Sequence, residues 1–199
     1  MYNAFSFSGN GSALPGGLWS AAPKGWFDFE KVNYHRLFEE YRLPGLDPSQ
    51  KRISPSACSQ SEQRVQALAN RSWPILFFRH RAFSALLLPG FSGALRKTAF
   101  AQTGADAAGL ACALERYQLA HGTFPESLDR LRAANDSLVT NSLPHDIIDG
   151  KPLKYRLTDN GKFVLYSVGW NERDDNGTMV SAKSAREVSI EGDWVWRPL

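Results

Sequence analysis

The stretch ALERYQLAHGTFPESLDRL, residues 113–131, decides how the chain is read. Leu114 and Tyr117 lie one helical turn apart, no proline intervenes before His121, and Gly122 is the residue a helix end favours, because glycine takes left-handed backbone without a steric cost. Thr123 and Glu126 then form a T-x-x-E capping box. Pro125 is tolerated inside it, since the N–H it lacks would be an orphan donor in a first turn. The spacing predicts one helix ending at His121 and a second opening directly after it, with Leu128 and Leu131 turned inward.

Upstream, residues 91–121 contain no proline and are rich in Ala, Leu and Arg. They read as one long spine helix of about 28 residues. Leu95, Ala99, Thr103, Ala107, Leu110, Ala111, Leu114 and Tyr117 trace its inner stripe. Downstream of Pro144 the period changes to two. Leu153, Tyr155 and Leu157 alternate with Lys154 and Arg156 as in a strand with one wet face, and Asn160-Gly161 signals a hairpin. The return strand, residues 163–168, is apolar at nearly every position and so central, and Trp194-Val195-Trp196 reads as a third strand. The stripe and the sheet must cover one another, which predicts Ala107, Leu110, Ala111, Leu114 and Tyr117 buried against Tyr155, Leu165 and Tyr166. The fold class is α+β: a helical N-terminal portion and a long spine helix packed on a small antiparallel sheet.

The first half is punctuated differently. Residues 1–23 are rich in Gly, Ser and Ala and read as a flexible tail. Asp28 can cap a helix to about Leu43, in which Phe29, Val32, Leu37, Phe38 and Tyr41 recur at near-helical intervals. Pro44-Gly45 stops it. A polar linker, DPSQKRISPSACSQS, precedes a short helix over 62–71, and Pro74 suits the first turn of another helix reaching Leu88. The chain divides into a tail (1–23), a helical portion (24–90) and an α+β domain (91–199).

Composition excludes several classes. Hydrophobic residues make up 43% of the chain, with six Trp, enough apolar surface to offset the entropy of ordering and so to exclude wholesale disorder. Residues 1–100 carry twelve Lys and Arg against six Asp and Glu; residues 101–199 carry eleven against fourteen. The basic residues are scattered, so Arg79-His80-Arg81 and Arg96-Lys97 read as solvated helix faces and no nucleic-acid partner is expected. Cys58 and Cys112 make neither a disulfide framework nor a metal-ligand spacing; Cys112 reads as a small buried residue and Cys58, among Ser and Pro, as exposed. The N-terminus lacks the basic and apolar regions of a secretory signal. The most apolar segment, 73–88, is interrupted by Arg79, His80 and Arg81, so no membrane span is expected.

Motifs for catalysis are weak. Gly90-Phe91-Ser92-Gly93-Ala94 departs from G-x-S-x-G at its last position and follows no strand, so Ser92 is not read as a nucleophile. His35, His80, His121 and His145 lie far apart in sequence. His121 suits the negative end of the spine helix, and His145-Asp146 reads as turn polarity. Glu39 and Glu40, adjacent on a helix, face different ways. The loop NERDDNG, residues 171–177, approximates the opening of an EF-type calcium loop, but Glu172 stands at its first position and Lys183 where the closing Glu belongs. No catalytic constellation emerges, and the chain is not expected to be an enzyme.

Four pieces, ALERYQLAHGTFPESLDRL, LPHDIIDGKPLKYRL, GKFVLYSVGWN and EGDWVW, occur in the order found in the globular part of type II secretion major pseudopilins. The chain resembles that family over about half its length, from residue 95 onward. Including GWFDFEKV and residues 37–46, it also resembles bacterial envelope proteins that carry a helical N-terminal portion before such a tail. The resemblance implies a non-enzymatic interaction or assembly module of the cell envelope, with other envelope or secretion-system proteins as partners. It also implies calcium in the loop after the hairpin, with Asn171, Asp174, Asp175 and Asp193 as the matching positions. The prepilin cleavage motif and the apolar anchoring helix of that family are not found in this sequence. The chain is then either a fragment of a longer anchored protein, which would place it in the envelope or periplasm, or a pilin-like module on a soluble helical scaffold. Two other classes stay open: a hydrolase whose residues converge only in the fold, for which His145 would meet the acids of the tail, and a basic membrane-surface or nucleic-acid binder.

Overall fold

The structure, a computed structural model, describes residues 23–91, 93–133, 143–180 and 188–196. All but the last residue of the expected tail, together with Ser92 and Lys183, lie outside these segments. The order is α1 (Lys24–Arg42), β1 (Leu46–Asp47), β2 (Arg52–Ile53), α2 (Pro55–Ala69), α3 (Trp73–Phe78), α4 (Ala82–Leu87), α5 (Ala94–His121), α6 (Leu128–Ala133), β3 (Lys154–Leu157), β4 (Phe163–Ser167) and β5 (Trp194–Trp196). The fold is α+β: helices dominate, and a three-stranded antiparallel sheet, order β3-β4-β5, packs on the spine helix α5.

Helix α5 runs between two glycines with left-handed backbone, Gly93 at φ 76° and Gly122 at φ 77°, and its 28 residues match the expected length. Ala99, Thr103, Ala107, Leu110, Ala111 and Leu114 of the expected stripe are buried, while Leu95 and Tyr117 are half-buried. Against this stripe pack Leu153, Phe163 and Leu165, with Tyr155 and Trp196 at the margin. Tyr155 pairs with Leu165, and Leu165 with Trp196, so all three strands contribute to one helix-facing row. Tyr166 is buried but belongs to the opposite face: strand alternation sends it away from Leu165, and its hydroxyl donates to Asp174 Oδ1 at 3.1 Å. The hairpin turns through Asp159, Asn160 and Gly161, closed by Thr158 N–H to the Lys162 carbonyl at 2.7 Å, with Gly161 at φ 73°.

Where α5 meets α6, the capping box is replaced. Helix α6 starts at Leu128, and the hydroxyl of Ser127 accepts from Arg130 N–H. Pro125 is held instead as an acceptor, its carbonyl taking the Tyr155 hydroxyl at 2.6 Å. That bond ties the helix exit to the sheet.

The N-terminal portion departs further from its sequence reading. Helix α1 begins four residues before Asp28, without a side-chain cap, and Asp28 lies within it. Its buried stripe is Trp26, Glu30 and Leu37, with Tyr34 and Tyr41 half-buried, whereas Phe29 and Val32 are exposed. Glu30 explains the shift. Both its oxygens accept from the start of α4, Oε1 from Ala82 N–H and Oε2 from Phe83 N–H, each at 2.9 Å. This fully buried carboxylate satisfies the orphan donors of a helix that starts anew at Ala82. The single helix expected over 74–88 is accordingly two, α3 and α4, separated by His80 at φ 51°.

The expected polar linker is a two-residue hairpin, with Leu46 opposite Ile53. Helix α2 starts at Pro55, seven residues earlier than expected, because Ser54 caps it and proline suits a first turn. The two cysteines exchange the environments expected of them. Cys58 is buried, its thiol pushed up to about 11 by burial, and Cys112 is exposed. Cys58 and Ile53 pack with Ala99, Ile148, Val168, Trp170 and Trp194, so the helical portion and the α+β domain share a core cluster.

Candidate functional site

The residues after β4 form the most built feature of the surface. At Gly169 the chain takes a left-handed φ of 69° and passes so close to the Gly192 carbonyl that any Cβ would collide with it. Gly192, at φ 76°, approaches Thr178 in the same way. The two glycines let the outgoing and returning limbs of the 169–193 excursion cross beside the sheet.

Between these limbs the acidic loop is organised by its own side chains. Asn171 Oδ1 accepts from Arg173 N–H at 3.1 Å, and its amide donates to Asp175 Oδ2 at 2.8 Å. Asp174 Oδ1 accepts from Asn176 N–H and from the Tyr166 hydroxyl, both at 3.1 Å. Lys154 Nζ stands 3.8 Å from Asp174 Oδ2. Beneath them lies Asp193, buried, with Oδ1 accepting from Asp175 N–H at 3.2 Å and Oδ2 from Gly177 N–H at 2.6 Å. Burial raises the Asp193 carboxyl above its ordinary range; the two N–H bonds oppose the rise, and the neighbouring Asp174 and Asp175 add to it. Tyr166 is pushed up to about 12, first by burial and then by its bond to Asp174.

The four residues matched to calcium positions are thus neighbours in the fold. Most of their oxygens accept hydrogen bonds from the loop or from Tyr166, and Asp174 Oδ2 faces the Lys154 ammonium. Among the described residues no group of three or more His, Cys, Asp or Glu is placed to hold a metal ion. As arranged, the loop is held by carboxylate-to-amide bonds.

Two clefts flank α5. One, of about 390 Å³, runs between the helix and β5; Phe100, Ala107, Val180, Val188, Trp194 and Trp196 line it, and among the described residues of its wall the one charged side chain is Asp193. Phe100 and Trp194 meet edge to face at 5.4 Å. The other, of about 680 Å³, lies toward the β1-β2 hairpin, with Asp47, Lys51, Arg52, Asp106 and His145 in its wall. His145 Nε2 is 3.2 Å from the Gln50 carbonyl. His145 and Asp193 therefore line different clefts.

Asp146, read from sequence as turn polarity, has a larger part. It is buried, with Oδ1 accepting from Ile148 N–H at 2.9 Å and Oδ2 from Val168 N–H at 3.1 Å, which staples the 143–150 turn to the end of β4. Burial raises its carboxyl, while its bonds to the Ile148 amide, the Ser167 hydroxyl and the Val168 amide pull the other way. The short-range half of this arrangement, an Asp accepting from the amide two residues on, was available as a turn signal. Its partner 22 residues away was not.

Comparison of the chain with protein-family models, with curated proteins and with solved structures finds no match in any of the three.

Proposed function

We propose that this chain is a non-enzymatic, pseudopilin-like interaction and assembly module of the bacterial cell envelope. The apolar, aromatic-lined cleft between α5 and β5 carries the reading. A concave, mostly apolar and aromatic surface of this size suits the side chains of a protein partner. The arrangement of a spine helix, a three-stranded sheet and an acidic loop returning to the last strand supports the same reading. Among the described residues no helix is long and apolar enough to cross a membrane, so any anchoring by a helix would come from elsewhere.

The test is site-specific cross-linking from Phe100, which is partly exposed at the cleft, in cells of the source organism. Envelope or secretion-system subunits are expected as products, lost in Phe100→Arg while the helical circular dichroism of the protein is unchanged. Cross-links confined to cytoplasmic enzymes would overturn the assignment. So would turnover of an ester, phosphate, peptide or glycoside substrate by purified protein that His145→Ala abolishes.

Calcium is the finer part of the proposal, attached to Asn171, Asp174, Asp175 and Asp193. A ligand that binds only the folded state, at 100 times its dissociation constant, adds about 2.7 kcal/mol. Calcium at this loop is expected to raise the melting temperature of the wild type and not that of Asp174→Ala/Asp175→Ala. Equal melting in calcium and in chelator removes the ion and leaves the assembly reading standing.

A further inference from the structure

The largest exposed apolar side chains of the helical portion are gathered where α1 meets the turn between α3 and α4. Phe78 is 80% exposed and Ile75 47%; three residues apart, they share a face of α3. On α1, Val32 at 65% and Phe29 at 61% are likewise three apart. The two faces join at the turn: the Phe29 ring lies 5.1 Å from that of His80, and the Asn33 amide reaches the Arg79 carbonyl at 3.5 Å. Soluble proteins rarely leave such neighbouring large apolar groups in water without a use for them.

On the α3 side of the patch the charge has one sign. From Gln63 to Ala105 the chain has no Asp or Glu and six basic residues, Arg64, Arg71, Arg79, Arg81, Arg96 and Lys97. Arg71 and Arg79, flanking α3, are exposed. Of the nearby acids, Asp28 is paired with Lys31 at 3.2 Å, and Glu30 is buried beneath the patch with both oxygens on backbone amides. Protruding aromatic and aliphatic side chains ringed by uncompensated arginines complement an anionic lipid interface, where the rings enter the headgroup boundary and the cations meet lipid phosphates.

We infer that the helical portion docks peripherally on an anionic membrane surface through Phe29, Val32, Ile75 and Phe78, with Arg71 and Arg79 at the rim. This contact is separate from the α5–β5 cleft and does not depend on the assembly reading. It inserts side chains at the boundary and spans nothing.

Flotation of the full chain with phosphatidylcholine vesicles, with and without phosphatidylglycerol, tests it. Binding is expected only to the anionic vesicles and is expected to weaken with added salt, as screening of exposed charges requires. Ile75→Ser/Phe78→Ser should weaken it by about tenfold or more through lost apolar burial. Arg71→Gln/Arg79→Gln should weaken it by about fivefold per charge. All four positions are exposed, so melting temperatures should match the wild type. Equal binding to neutral vesicles, no flotation, or wild-type flotation of Ile75→Ser/Phe78→Ser each overturns the inference. Loss of binding on removal of residues 1–22 with Ile75→Ser/Phe78→Ser unaffected also overturns it, and assigns the lipid contact to that segment.

Discussion

The two halves of the molecule bury polar groups in different ways. Between α5 and the sheet the core is mostly apolar, from Ala107 to Leu165, with Thr103 and Ser167 as small buried polar groups, and the contact between layers is made by side chains meeting at helical and strand periods. In the helical portion a carboxylate sits in the core stripe itself: Glu30 takes the place of an apolar residue on α1 and caps α4, 52 residues later. The helices of the first half are broken into four, and the start of α4 rests on that long-range bond. The second half is built on one long helix, whose N-cap residue Gly93 donates its N–H to Glu62 Oε1 of the helical portion at 3.1 Å. Asp146 and Asp193 bring the same device into the second half, at its loops, where each holds a turn against the sheet.

The largest effect separating the two modes is expected at Leu114, fully buried against the sheet. Leu114→Asp places a charge where the apolar layer offers no partner, a loss of several kcal/mol that should unfold the C-terminal half. Near-wild-type thermal melting of that variant would show that the helix and sheet do not depend on each other.

A smaller loss is expected at Glu30. Glu30→Ala leaves the amides of Ala82 and Phe83 buried without an acceptor, which costs about 1–3 kcal/mol for each such group. Glu30→Gln retains one acceptor and should lie between that variant and wild type. If Glu30→Leu were as stable as wild type, the carboxylate would be ordinary stripe packing, and the contrast between the halves would fall.

The smallest effect is in pH. Burial raises the carboxyls of Glu30, Asp146 and Asp193 above their unfolded values. For an acid raised on folding, the native state holds its proton more tightly. Its contribution to stability is therefore complete below the unfolded value, near 3.8 for Asp and 4.5 for Glu, and is lost as pH climbs through the folded one. Mild acidification from neutral pH should favour the wild type relative to Asp193→Asn, read as the difference between their melting temperatures across the carboxylate range. A difference that does not change with pH would mean that Asp193 titrates as it does in the unfolded chain. Asp47, lowered by its bonds to Ser49 and Gln50, acts in the opposite sense in both proteins and cancels from the comparison.

What residue order determined by itself is the α5 spine, its closing glycine Gly122, the stripe from Ala99 to Leu114 and three strands in the order of their hydrophobic patterns. These features rest on local backbone preference and on apolar periods of 3.6 and 2, which act between residues near in sequence. Of the candidate site, the acidic loop was legible as a loop through its Asp, Asn and Gly, and its return to Asp193 could be placed only because the terminal strand was visible. Tertiary structure alone decided that Glu30 is core while Phe29 and Val32 are not, that Cys58 is buried and Cys112 exposed, that Ser127 and not Thr123 caps α6, and that Asp146 holds β4. A buried polar group is tolerated only where its hydrogen-bond partners arrive, and here most of those partners come from tens of residues away, so no local pattern encodes their meeting.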